Sequence, residues 1–216
     1  MSGRQPSIEA LLDCAAQTPE GHAMNQQVEK RRKLLDAVLD LVDEGGIQAV
    51  RMKAVADRSG VALGTAYRYF SSKDHLLAEA LVEWYQPRLE RPDQNKFGAD
   101  SPDFAAELIA RSMQQTIAAF QRRPNFLPLL LAVISSSDPD AVAAYSRMRE
   151  LNTGAMLHLL RDLDEESRTV VVAAVQYMQL SAVLSLATGR IAHRELTDFT
   201  NAVATILVSG AKAVGH

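Results

Sequence analysis

The sequence predicts an all-α protein, with an N-terminal helix-turn-helix domain of three helices and a larger C-terminal helical domain, about nine helices in all. Three observations predict it. Apolar residues recur at three- and four-residue spacing through most of the chain, the period of one helix face. Ala, Leu and Val are abundant while aromatics make up 6% and Gly and Pro are few, which suits helices more than sheets. The segment MKAVADRSGVALGTAYRYFSSK, Met52 to Lys73, reads as two short helices around a tight turn, followed by the start of a third.

Within that segment, Met52, Val55 and Ala56 form the inner face of a helix ending at Ser59. Gly60 suits the left-handed position that closes a helix. Val61 to Leu63 is the turn, and Gly64 to Phe70 the second helix, with Ala66, Tyr69 and Phe70 partly inward and Thr65, Tyr67 and Arg68 outward. Two helices crossing at such a turn form a motif whose second helix fits the major groove of DNA. Between Val50 and Lys73 stand five basic residues (Arg51, Lys53, Arg58, Arg68, Lys73) against Asp57 alone, a local charge of +4 in a chain of net charge −3. Lys and Arg neutralise phosphates and release counterions, and Tyr and Thr hydroxyls donate to phosphate oxygens. Arg68 can make the bidentate contact to guanine. The plain alternative is a charged helix pair on the surface of an ordinary domain.

The stretch GVALGTAYRYFSSKDHLL resembles the signature of the TetR family of bacterial transcriptional regulators, usually close to GVSxGTLYxYFxSKexLL. The resemblance extends from Lys30–Gly46 to Leu81. It implies Lys53 as a polar contact from helix two, and Ala62, Leu63, Thr65, Tyr67, Arg68 and Tyr69 on or at the head of the recognition helix. It implies Lys73 as a phosphate clamp at the start of helix four. Two positions depart from the pattern: Arg51 and Ala62 stand where Ser or Thr often caps a helix. A lost cap typically costs about 1 kcal/mol, so Thr65 or water is left to serve the helix-three amides. With the later segment QRRPNFLPLLLAVISSSDP, the motif also resembles the KstR-type actinobacterial repressors of sterol catabolism, which implies a steroid-derived coenzyme A thioester or fatty-acyl effector.

Residues 1–25 read as an arm, with Ile8, Leu11, Leu12 and Ala15 on one helical face before Thr18–Pro19. Residues 26–85 are the helix-turn-helix domain with the start of helix four. Helix one spans Gln26 to Glu44, with Leu34, Leu35, Val38, Leu41 and Val42 as its buried stripe and Gly45–Gly46 as its end. Lys30 to Lys33 either reach the DNA backbone or form a solvated basic turn. Helix four begins at Lys73, with Leu76, Leu77, Ala80, Leu81 and Trp84 inward, and His75 reads as a surface or capping residue.

The polar, Pro-bearing stretch Gln86 to Pro102 separates off residues 86–216, the ligand-binding and dimerisation domain that the resemblance implies. There helix five spans Asp103 to Arg123 and helix six Asn125 to Ser137. Asp138–Pro139 starts helix seven. Acidic residues at Asp162 to Glu166 favour the start of helix eight through the macrodipole rather than forming a catalytic group. Helices eight (Glu165 to Arg190) and nine (Leu196 to Val214) are apolar on several faces. The resemblance implies that they pair with their twins in a homodimer; burial within the chain's own core explains the pattern equally.

A two-fold dimer sets two recognition helices about 34 Å or more apart on double-stranded DNA, so the operator should be a near-palindrome. A regulator also needs a switch, here a small apolar effector among helices four to eight. Met113, Phe120, Phe126, Leu130, Met148, Met156, Tyr177 and Met178 are the candidate lining, since thioethers adapt to irregular apolar ligands. Ordinary core packing is the competing explanation for each.

An enzyme is not expected: the chain has no phosphate-cradling Gly-rich loop, HExxH or CxxC. His22, His75, His158, His193 and His216 lack metal-ligand spacing, so neither metal nor cofactor is expected. The lone Cys14 excludes an intrachain disulfide. No signal peptide or membrane span is read, and the expected location is the cytoplasm. The rival reading is a helical sensor or scaffold dimer without sequence-specific DNA binding.

Overall fold

A computed structural model describes residues 19–89, 104–187 and 193–214, all arranged around helices. They are α1 (Pro19–Ala49), α2 (Met52–Ser59), α3 (Leu63–Tyr69), α4 (Lys73–Leu89), α5 (Phe104–Arg122), α6 (Phe126–Ser135), α7 (Pro139–Leu159), α8 (Glu165–Ala187) and α9 (His193–Val214). The expected all-α class holds across these residues. The arm through Thr18 and the stretches 90–103 and 188–192 lie outside them.

α1 starts at Pro19, earlier than the expected Gln26. Proline is favoured at the first helical position because its missing N–H has no helical partner there. Met24 and Val28 are exposed on these opening turns, so no apolar period marks them in the sequence. Further along, Leu34, Leu35, Val38, Leu41 and Val42 form the expected buried stripe. Gly46 breaks the helix with φ +67°, and Gly60 closes α2 with φ +68°. Both sit in the left-handed region that glycine enters without a Cβ penalty.

A single apolar cluster joins the first three helices to the body through α4. Phe70, Leu76, Leu77 and Leu81 are almost fully buried, and Trp84 packs on Phe120 at 5.0 Å and Phe126 at 4.6 Å between ring centroids. Thus α4 runs past Tyr85, the expected boundary, and its apolar face belongs to both halves. A second cluster unites α5, α7, α8 and α9 around Ile109, Met113, Met156, Val175 and Ala204. Side chains also tie α1 to the body: Arg123 pairs with Asp43 at 2.7 Å, and Asn125 donates to the Asp43 carbonyl at 2.9 Å. No single described helix is long and apolar enough to cross a membrane.

Candidate nucleic-acid interface and internal cavity

α2 and α3 meet as the sequence predicts: Met52, Val55, Ala56 and Ala66 go inward, and Phe70 follows them into the core. That packing leaves the opposite face of α3 outside. Tyr67 is 52% exposed and Arg68 and Leu63 are exposed, while Thr65 and Tyr69 are half-buried. Lys53 and Ala62 are exposed beside them. The face therefore presents a phenol, a guanidinium, a hydroxyl and an ammonium together.

Neither Arg51 nor Ala62 makes a side-chain cap. The Thr65 and Ala66 amides are drawn to the Ala62 carbonyl at 2.8 and 3.0 Å instead. No Thr65 side-chain cap replaces the missing one in the described structure.

Two cations of the expected basic patch, Arg58 and Lys73, are engaged elsewhere, as is Arg31 of the Lys30–Lys33 run. Arg58 pairs with Glu44 of α1, its Nη2 donating to Oε2 at 2.5 Å. That hydrogen bond holds the Glu44 carboxyl below its usual range and raises the Arg58 guanidinium. Lys73 donates from Nζ to the Ile47 carbonyl at 3.2 Å, tying the start of α4 to the end of α1. Arg31 turns to Glu79 at 2.6 Å and lies over the Phe70 ring at 5.6 Å. Nearby, Arg32 and Lys33 pair with Glu29 at 3.0 and 3.7 Å. The outward positive charge of the segment thus rests on Arg51, Lys53 and Arg68, all exposed.

The α3–α4 turn is joined to the start of α7. Ser72 caps α4 by accepting from the His75 amide at 2.9 Å. Ser71 donates to Asp140, and Ser136 donates to Asp74 at 2.7 Å. His75 accepts from the Ser71 amide at 3.2 Å and meets the Phe70 ring edge-on. Its position at the turn agrees with a capping role.

A cavity of about 280 Å³ lies among α4, α5, α6, α7 and α8. Its apolar wall includes Leu81, Phe120, Leu130, Met148, Leu180 and Val183. Tyr85, Thr116, Gln176, Gln179, Tyr145, Asn152 and Arg149 add polar groups. Burial pushes the Tyr145 phenol above its usual range, so it stays neutral. Of the eight residues expected to line a pocket, Phe120, Leu130, Met148 and Tyr177 do so. Met113 and Met156 lie instead in the second apolar cluster, with Met178 packed against it, and Phe126 fills the core under Trp84. Helical spacing marks an apolar side chain as inward but not which of two clusters it enters. The polar lining went unrecognised; Gln176 and Gln179, interrupting an apolar helix, were its available signal.

Helices, turn and outward cationic face together define a helix-turn-helix regulator. The model of "Bacterial regulatory proteins, tetR family" matches residues 34–80. The HTH-type transcriptional repressor KstR of Rhodococcus jostii (strain RHA1) is 34% identical over 151 residues, 70% of this chain and 69% of that protein. KstR of Mycolicibacterium smegmatis is 26% identical over 84% of this chain and 88% of its own length. In fold, the chain is similar to a TetR transcriptional regulator from Rhodococcus sp. RHA1 (TM-score 0.67, 23% identity, 86% of this chain and 98% of that one). It is likewise similar to FadR from Bacillus subtilis in complex with stearoyl-CoA (TM-score 0.63, 18% identity, 83% and 98%). The chain belongs to the TetR family of transcriptional regulators.

Proposed function

We propose that this regulator is a homodimeric repressor that binds a near-palindromic operator and is released by a small, largely apolar effector. The observation behind the first half is the outer face of α3, where Tyr67 and Arg68 are exposed and Thr65 is half-buried beside them. Arg68 reads a base edge, Tyr67 and Thr65 fix register on phosphates, and Lys53 adds a phosphate contact from α2. Lys73 acts mainly by holding α4 against α1.

Homodimerisation draws support from α8 and α9, which pack on each other and leave apolar stripes outside. Val170, Ala173 and Tyr177 are exposed along α8, and Phe199, Ala202, Ile206 and Gly210 along α9. Contiguous exposed apolar faces of this kind mark interaction surfaces. Pairing them with their twins buries both stripes in a four-helix contact.

The cavity is the effector site. α4 supplies Leu81 and Tyr85 to its wall and, a few turns earlier, seats α3. A ligand that fits one setting of α4 better than another shifts the spacing of the two recognition helices. An apolar wall with a polar mouth suits a steroid or an acyl-coenzyme A thioester whose hydrophobic part enters. The KstR relatives and the stearoyl-CoA-bound FadR structure point the same way.

Selection of bound sequences from random double-stranded DNA tests the reading. A near-palindrome whose binding is salt-sensitive is expected, and recovery of no common sequence would leave the helical sensor or scaffold dimer instead.

A further inference from the structure

We infer that the inner end of the cavity selects an effector bearing an uncharged oxygen, a hydroxyl or a ketone, on an otherwise apolar skeleton. The inference rests on the reading of the cavity as the effector site and names the chemistry that site distinguishes.

Three polar side chains from three helices meet there. Tyr85 of α4 and Thr116 of α5 share a hydrogen bond of 3.2 Å between hydroxyls, and Gln179 of α8 donates from Nε2 to the Tyr85 hydroxyl at 3.3 Å. All three line the cavity, and each is more than nine-tenths buried. Beside them the wall is Leu81, Phe120 and Val183.

Thr116 and Gln179 have hydrogen-bonding capacity that the described residues do not use. Thr169 in α8 donates back to the Glu165 carbonyl at 2.8 Å, a common arrangement for threonine inside a helix. Thr116 makes no such bond; its hydroxyl turns to Tyr85. A hydroxyl has one donor and two acceptor sites, and a carboxamide oxygen accepts twice. Gln179 Oε1 accepts from no described group, although the residue is only 8% exposed. Buried polar groups cost free energy when left unpaired.

A ligand hydroxyl can donate to Gln179 Oε1 or to the Thr116 oxygen, which has an acceptor site to spare. A ketone can accept from the second Nε2 hydrogen of Gln179, the first being given to Tyr85. A hydrocarbon end would displace water and leave these groups unmatched. An anion gains no counter-charge at this end, because Arg149 is the cavity's cation and lies on its exposed side. Since Tyr85 and Leu81 both belong to α4, the same oxygen would touch the helix that seats α3.

The test is isothermal titration calorimetry of the full chain with straight-chain alkanoates of eight to twelve carbons and their ω-hydroxy counterparts. At one chain length the hydroxy acid should bind about tenfold more tightly, the usual worth of one matched buried hydrogen bond. Thr116→Val and Gln179→Leu should bring that ratio towards one, and Met148→Trp, which fills the cavity, should remove binding of both series. Equal binding of the two series at every length would overturn the inference and leave the effector reading standing. So would a ratio that survives both substitutions. If neither series binds a protein that still binds its DNA, this inference falls, and the effector reading falls with it only if stearoyl-coenzyme A also fails to bind.

Discussion

The Glu79 carboxylate, 8% exposed in the middle of α4, accepts from Arg31 of α1 at 2.6 Å and from Arg147 of α7. One carboxylate therefore links a helix of the DNA-binding half, the connecting helix and a helix of the body. Arg31 also covers the Phe70 ring, at the end of α3.

Removing that carboxylate leaves two guanidinium groups facing each other across a narrow space. Both remain partly in water, so the cost is smaller than for a fully buried pair. Glu79→Ala is expected to lower unfolding free energy by about 2 kcal/mol, and Glu79→Gln by less because it keeps an acceptor. Urea unfolding at neutral pH measures both.

Arg68 and Arg58 are both arginines of the basic segment, yet they should behave differently. Arg68 projects from the outer face of α3, whereas Arg58 is bonded to Glu44. Arg68→Ala and Tyr67→Ala should each weaken operator binding about tenfold or more while the helical content stays the same. Lys53→Ala should reduce the salt dependence by roughly one phosphate contact. Arg58→Ala should leave that slope in place. Gel-shift titrations across a range of salt separate these outcomes.

Asp138 sets an acid limit on the α7 start. Its carboxylate accepts from the Asp140 and Ala141 amides, both at 3.0 Å. The Ala141 amide first, then the Ser72 hydroxyl, hold its pKa below the usual range. A carboxyl depressed in the folded state stabilises above its unfolded value, about 3.9, and that contribution fades as pH falls through the lower folded value. Asp138→Asn still caps a helix but does not titrate. Its Tm should lie below that of the parent near neutrality, and the gap should narrow as the pH drops below about 4. Calorimetric melts over that range follow it.

What the sequence made legible was local. The α2–turn–α3 unit follows from Met52, Val55, Ala56 and Gly60, whose spacing and backbone needs act within a few residues. The starts of α7 and α8 follow from Asp138 and from the acidic run that includes Asp164, both capping through nearby amides. The pairings Arg58–Glu44, Lys73–Ile47 and Arg31–Glu79 join residues far apart in the chain. Charge counting therefore overstated the outward patch. Met113 and Met156 misled for a related reason: amphipathic period identifies an inward face, but the partner of that face is a tertiary fact. Thr116 carried no signal of its own in the sequence, because polar side chains usually lie at the surface.

Ile206 on α9 is 68% exposed and Tyr177 on α8 is 73% exposed, far more than isolated apolar residues of a folded core. If a second copy covers them, a charge there must be desolvated on assembly, which is costly without a partner. Ile206→Asp points away from the buried Leu196–Thr200–Ala204–Val208 stripe, so the subunit fold should survive. Sedimentation should then show a monomer with unchanged helical content. Operator affinity should fall by far more than a single lost contact, because each recognition helix would bind its half-site without the effective concentration its twin provides. A variant that remains dimeric and binds DNA like the parent would place the dimer contact away from this face of α9.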